Sequence, residues 1–407
     1  MKRLVFGAWV LTGLAACEEP TQPAAPSLAP PAAAVAPAEL QFTVRSLGSL
    51  GGGPSFALAI NEDNDVVGYG TIPTGEWRAF LVPHGKRMRS LGTLGGATSI
   101  AEDINDRGEV VGISEIRLGS HGSRPFLWTE ERGMRALGTL GGSYGEATAI
   151  NNRGEVVGGS SHSNGTVTPF LWRPGVGLRS LGSLGGDSRA FNVAYDVNDA
   201  TQVVGSSTTA DGSEHAFLWT AERGMEDLGT LGGRTSTAYG ISQTGDVVGQ
   251  SGTAAGRVAA FLWTREGGMR SLGTLGGFGS GAMSVNTHRR VVGSSATADG
   301  HLLAFIWTPG GGMQPLPTLG GNFGEADDLN EFGVIVGSSV TTKGTQRAAI
   351  WRPTAGPAVA VDEDTAPEVA ASPSESHNTR AALCAVGRRL GDWSRAGRIA
   401  SRACLAR

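Results

Sequence analysis

Asn61-Glu62-Asp63-Asn64-Asp65 places side-chain oxygens at alternate positions, the pattern with which a loop wraps a calcium ion. The segment lacks the central Gly and the distal bidentate Glu of an EF-hand loop, and it stands where other parts of the chain have an Asn-x-x-Gly turn. It therefore reads as a hairpin turn. Asp327-Asp328 offers fewer oxygens still, and no metal or cofactor is assigned. No phosphate loop, His-Glu-x-x-His or Cys-x-x-Cys is present. The seven His residues fall at differing places along the chain and read as solvated loop residues, so no catalytic residue is assigned. Of the three Cys, Cys384 and Cys404 are candidates for a disulfide in an oxidising compartment, contributing about 3 kcal/mol by loop closure.

The third, Cys17, follows a different logic. Lys2 and Arg3 precede an apolar run from Leu4 to Ala16, too short to span a bilayer and shaped like a secretory leader. Leu14-Ala15-Ala16-Cys17 resembles the bacterial lipobox, which implies cleavage before Cys17, a lipid on its thiol, and an outer-membrane or surface destination, with free secretion as the alternative. Residues 17–40 hold this anchor and a Pro- and Ala-rich spacer, extended to about 60–70 Å at about 3 Å per residue.

The formal charge of −4 conceals an uneven distribution. Residues 380–407 carry seven Arg against one Asp, and the leader removes two more cations, which leaves a strongly acidic body. Nucleic-acid affinity comes mostly from Lys and Arg on phosphates, so that partner is set aside. Residues 354–379 have linker composition. In the basic tail, Leu383, Val386, Leu390, Trp393, Ala400 and Cys404 would share one face of a helix, while Gly387, Gly391 and Gly397 oppose one. One straight helix would hold Cys384 and Cys404 about 30 Å apart, so helix, disulfide and disorder stay open alternatives.

The elements that would position any site are set by repetition. Leu-Gly-x-Leu-Gly-Gly begins at Leu47, Leu91, Leu137, Leu181, Leu228 and Leu272, and returns as Leu-Pro-Thr-Leu-Gly-Gly at Leu316. Each copy is followed by a Val-Val-Gly element, Ile335-Val336-Gly337 in the seventh, and an apolar run such as Phe217-Leu218-Trp219. Short runs of Val, Ile, Leu, Phe and Trp between Gly, Asn, Asp and Pro are strand-and-turn language. In the third unit the strands read Arg135 to Leu140, Ala147 to Ile150, Glu155 to Ser160 and Thr168 to Trp172, with Asn151-Asn152-Arg153-Gly154 as a type I turn. Four short strands in about 44 residues fit a propeller blade better than a β-helix coil. The expected fold is all-β, a seven-bladed β-propeller over residues 41–353, with another β-repeat array as the alternative. If the Trp-Thr-x-x-x-Gly-Met hairpins lie inside blades, the N-terminal strand must complete the last one.

The Ala-Phe-Leu-Trp, Leu-Gly-Thr-Leu-Gly-Gly and Asn-x-x-Gly-x-Val-Val-Gly strings resemble those of the bacterial extracellular HAF-repeat proteins. His-Ala-Phe itself survives only at His215-Ala216-Phe217; Arg78, Arg124, Thr168, Ala259, Leu303 and Ala348 are read at the matching positions. The resemblance implies export and a repetitive β domain, and no particular reaction. Seven copies also act as an internal control: recurring Leu, Gly, Val, Phe and Trp serve the frame, and a specific site must lie where copies differ. Those places are the segments after Leu-Gly-Gly (Gly53 to Phe56, Ala97 to Ile100, Asp187 to Asn192, Phe278 to Met283) and before the aromatic strands (Thr208 to Glu214, Thr297 to His301). The resulting expectation is a monomeric, non-enzymatic binding or scaffold protein of the cell envelope, whose partner is a protein or polysaccharide. The alternatives are a glycan-active propeller enzyme with its site at the channel mouth, and a purely structural envelope protein.

Overall fold

The structure is a computed structural model that describes residues 40–116, 122–186 and 192–354. Cys17, Cys384, Cys404, the leader, nearly all of both linkers and the basic tail lie outside the described residues, as do residues 187–191 of one variable segment. The described part holds 28 strands and no helix.

The strands form four-stranded antiparallel meanders, here called sheets; four stand alone, and single parallel pairings, Val258↔Gly279 and Leu302↔Phe323, link the last three into a twelve-stranded sheet. Sheet 1 lies within residues 55–92, sheet 2 within 99–136, sheet 3 within 141–180, sheet 4 within 193–227, sheet 5 within 232–273 and sheet 6 within 276–315. Sheet 7 takes three strands from residues 320–353 and its fourth from Phe42–Ser46, which pairs with Gln346–Pro353 in the register Val44↔Trp351. The first strand of each sheet contacts the first strand of the next, and Gly320–Leu329 contacts Ser55–Ile60, so the array closes into a β-propeller around a channel lined by these inner strands. Closure through the N-terminal strand is what the hairpin argument required.

Two readings shift by a small amount. Arg135 to Leu140 does not form the first strand of the third unit: Gly133–Ala136 is the outer strand of sheet 2, and the next four residues cross to sheet 3. A periodic sequence carries no phase, so the cut between units was arbitrary by one strand. Pairing of Ser339 with Arg347, as Ser207 pairs with His215, also puts Arg347 and not Ala348 at the His position of the repeat.

Both faces of every sheet are covered, which explains apolar runs where half-buried strands would alternate with polar residues. In sheet 4, Val203, Phe217 and Trp219 pack against Val157 and Leu171 of sheet 3, while Val204 and Leu218 pack against Val247 and Phe261 of sheet 5. Phe80, Phe126, Phe170, Phe217, Phe261 and Phe305 are fully buried, each stabilising the fold by about 2–3 kcal/mol. The Gly of Val-Val-Gly has a steric cause. The inner strand bulges opposite it, and a Cβ on Gly68, Gly158 or Gly337 would sit 2.0 Å from the carbonyl oxygen of Phe56, Glu146 or Glu325. The Leu-Gly-x-Leu-Gly-Gly segments connect one sheet to the next: Leu91 and Leu316 are buried, and the amides of Leu94, Leu140 and Leu275 donate to Ser114, Ser160 and Ser295 at 2.9 Å.

Candidate functional site

A four-stranded meander puts its first and third turns at one end and its second turn, with the crossover, at the other. The variable segments share this second end. Phe278 to Met283 is strand rather than loop, inside Gly276–Val285. At the first end stand the Asn-x-x-Gly turns, nearest the channel, and the Trp-Thr hairpins farther out.

The Asn turns do more than reverse the chain. Asn151 Oδ1 accepts the amides of Arg153 and Glu155 at 3.1 and 2.9 Å, closing the turn, while its Nδ2 donates to the Asn198 carbonyl of the next sheet at 3.0 Å. Asn61 reaches Asn105, Asn105 reaches Asn151, Asn198 reaches Ser242, Asn286 reaches Asn330, and Asn330 reaches Asn61. Ser242 occupies this place in sheet 5. A second belt follows one residue later, where the amides of Glu62, Asp106, Asn152 and Asp199 each donate to the side chain at the same place in the next sheet. Oxygens of Asn61, Glu62, Asn64 and Asp65 are thus engaged as turn and inter-sheet acceptors; Asp65 Oδ1 takes the His84 amide at 2.8 Å. Glu155 is raised by burial, but hydrogen bonds from Asn151, Thr201 and Arg173 outweigh this and hold it below the usual carboxylate range.

Inside the ring the structure assembles carboxyl groups that no single unit announces. Asp103, Asp196 and Asp328 stand at the same inner-strand position, where sheets 1, 3 and 5 carry Ala59, Ala149 and Gly240. Each accepts the next amide of its own strand and one from the neighbouring sheet: Ile150 to Asp103 at 2.8 Å, Ile241 to Asp196 at 2.8 Å, and Ile60 to Asp328 at 3.0 Å. Ser284 adds a hydroxyl to Asp328 at 2.7 Å. The cavity among these three Asp, Tyr195 and Tyr239 is about 40 Å³, room for a water or two. Burial and the charge of Asp196 push Asp103 well above the usual carboxylate range. Burial, then Asp327, pushes Glu325 to about 8, and burial followed by Glu102, Asp327 and Glu325 raises the Tyr69 phenol. The signal was present in the sequence as acidic residues recurring at one repeat position.

Among the described residues, the His side chains do not converge. His215 Nδ1 pairs with Asp227 at 2.8 Å across sheet 4, His162 meets Thr168 at 2.9 Å in sheet 3, and His288 faces Glu331 at 3.3 Å.

A concavity of about 780 Å³ lies on the outer rim at the Asn-turn end, between sheets 1 and 2. Its floor includes Leu81 and Trp128, over which the Arg89 guanidinium lies 5.4 Å from the ring centre, held by Glu130. Hairpin residues read only as turns therefore form the walls of this groove.

No protein family and no curated protein matches the chain. Among solved structures it is similar to TolB from Acinetobacter baumannii, at 12% identity and a TM-score of 0.42 over 65% of this chain and 63% of that one, so it spans less than two thirds of TolB. It is similar to the BP39L lectin from Burkholderia pseudomallei at 9% identity and a TM-score of 0.44, covering 78% of this chain and 97% of the lectin. The gluconolactonase XC5397 from Xanthomonas campestris gives 9% identity and a TM-score of 0.38, with 76% and 89% covered. These likenesses include both binders and enzymes, and they fix no activity for this chain.

Proposed function

We propose that the chain is an exported, lipid-tethered propeller of the HAF-repeat type that binds a glycan or protein of the cell envelope without transforming it. One observation carries the reading: the carboxylates that meet in the channel are used to join sheets, with about 40 Å³ left among Asp103, Asp196 and Asp328, while a groove of about 780 Å³ lies outside. Ligand sites span about 300–1,000 Å³, so the groove is of the right size and the inner cavity is not.

A second reading has its own support. Glu325, pushed to about 8 beside Asp327, is a proton donor at neutral pH, which a glycan-cleaving enzyme needs. Incubating the purified chain with a panel of envelope glycans, and following both retention and product mass, separates the two. Saturable retention with unchanged glycan masses is expected; cleavage that disappears in Glu325→Gln would replace the binding reading with the enzymatic one. The tether is checked by intact mass: a diacyl or triacyl increment is expected, and it should vanish in Cys17→Ala.

A further inference from the structure

The groove between sheets 1 and 2 mixes charges in a way that restricts its occupant. Arg89 is held by Glu130, which also attracts Lys86, and Arg107 is held by Glu109, whereas Arg132 and Arg135, both exposed on the groove walls, have no ion pair among the described residues. Asp65 and Glu131 add acceptors on the same walls. Five cations thus stand with four carboxylates and an indole around about 780 Å³, in a domain whose overall charge is negative.

The internal copies show that the frame does not require these charges. Arg270 lies over Trp307 between sheets 5 and 6 at 5.3 Å, as Arg89 lies over Trp128. The hairpin of sheet 6, however, is Pro309-Gly310-Gly311, where sheet 2 has Glu130-Glu131-Arg132. The frame repeats the Arg-over-Trp contact without these charged walls, although the hairpins of sheets 4 and 5 also carry charges, at Glu222-Arg223 and Arg265-Glu266.

We infer that this groove is the binding site for an acidic oligosaccharide, one carrying carboxylates on a hydroxyl-rich ring, as uronic acids do. This rests on the binding reading above and names its ligand class. The unpaired guanidinium groups of Arg132 and Arg135, with the exposed Lys86 ammonium beside them, match the ligand's carboxylates. Asp65 and Glu131 accept from its hydroxyls. A neutral sugar would leave the cations unmatched, and an acidic peptide, with few hydroxyl donors, would offer little for the wall carboxylates to accept.

The test is calorimetric titration of the full chain in detergent with tetragalacturonate, maltotetraose and a tetraglutamate peptide. Tetragalacturonate is expected to bind saturably, more weakly as salt is raised, and about tenfold or more weakly in Lys86→Ala/Arg132→Ala/Arg135→Ala. Arg179→Ala, on the outer strand of sheet 3, should bind as wild type does. All three replaced side chains are exposed, and an unchanged melting temperature certifies the fold; Arg135→Glu alone serves if the triple variant misfolds. Absence of saturable binding, equal affinity in the variants, or equal affinity for maltotetraose or tetraglutamate would each overturn the assignment. Retention of some other glycan unchanged would still leave the broader binding reading standing, whereas glycan cleavage would end that reading itself.

Discussion

Asn151 has four hydrogen bonds to make and almost no contact with water: two amides to its Oδ1, and Glu155 and the Asn198 carbonyl from its Nδ2. Truncation to Ala strands partners on two sheets, and about 2–3 kcal/mol of stability should be lost, read as a lower denaturant midpoint. Ser242 offers the converse. Its hydroxyl accepts the Asp246 amide at 3.0 Å but is too short to hand a bond on to sheet 6. Ser242→Asn should restore the missing link and raise stability by about 1 kcal/mol; an unchanged melting temperature would show that the belt adds nothing there. The turn role of these Asn residues was legible from Asn-x-x-Gly. Their second role was not, because a turn motif is local and the acceptor lies a whole unit away. The same holds for Asp103, Asp196 and Asp328: each looks ordinary in its own unit, and only stacking the units brings them together.

Phe42–Ser46 is the one strand that a sheet borrows from the far end of the chain. Phe42 and Val44 pack on the sheet 7 cluster that contains the fully buried Trp351, so the strand both completes a ladder and covers a core. Val44→Pro removes a donor and imposes its own φ in mid-strand, and should lower the melting temperature and expose residues 346–353 to protease. Preferential cleavage elsewhere would show that sheet 7 holds without its fourth strand. Strand number per unit could be read from the sequence because turn residues bracket each run. The phase of the units could not, since any cut of a repeating string is equivalent until the ring closes. The outer strands were the weakest signal: Gly177–Ser180 has four residues and only partial burial, so little hydrophobic patterning marks it.

The whole ring keeps acidic groups in its interior at a cost that depends on pH. Glu325 holds its proton to about 8 in the folded chain and to its ordinary 4.5 when unfolded, so between those values the folded state binds more protons. Stability should therefore fall as pH rises from about 4.5 to 8 and level off above, with Asp103, also raised, acting in the same direction. Thermal melts across this range should show a shallower decline in Glu325→Gln than in wild type; parallel curves would place the titrating group elsewhere. Composition gave the acidic balance of the body but not its location, because burial is a property of the closed ring.

The pairing that closes sheet 7 also brings the two ends of the domain together: the Thr354 amide donates to the Gln41 carbonyl at 2.9 Å, next to the pairing of Phe42 with Pro353. A short peptide could splice those ends, and new termini cut into an exposed hairpin such as Ser163-Asn164-Gly165 would yield a circular permutant with its seam in sheet 3. The order of the strands along the chain is thus separable from which interfaces must form.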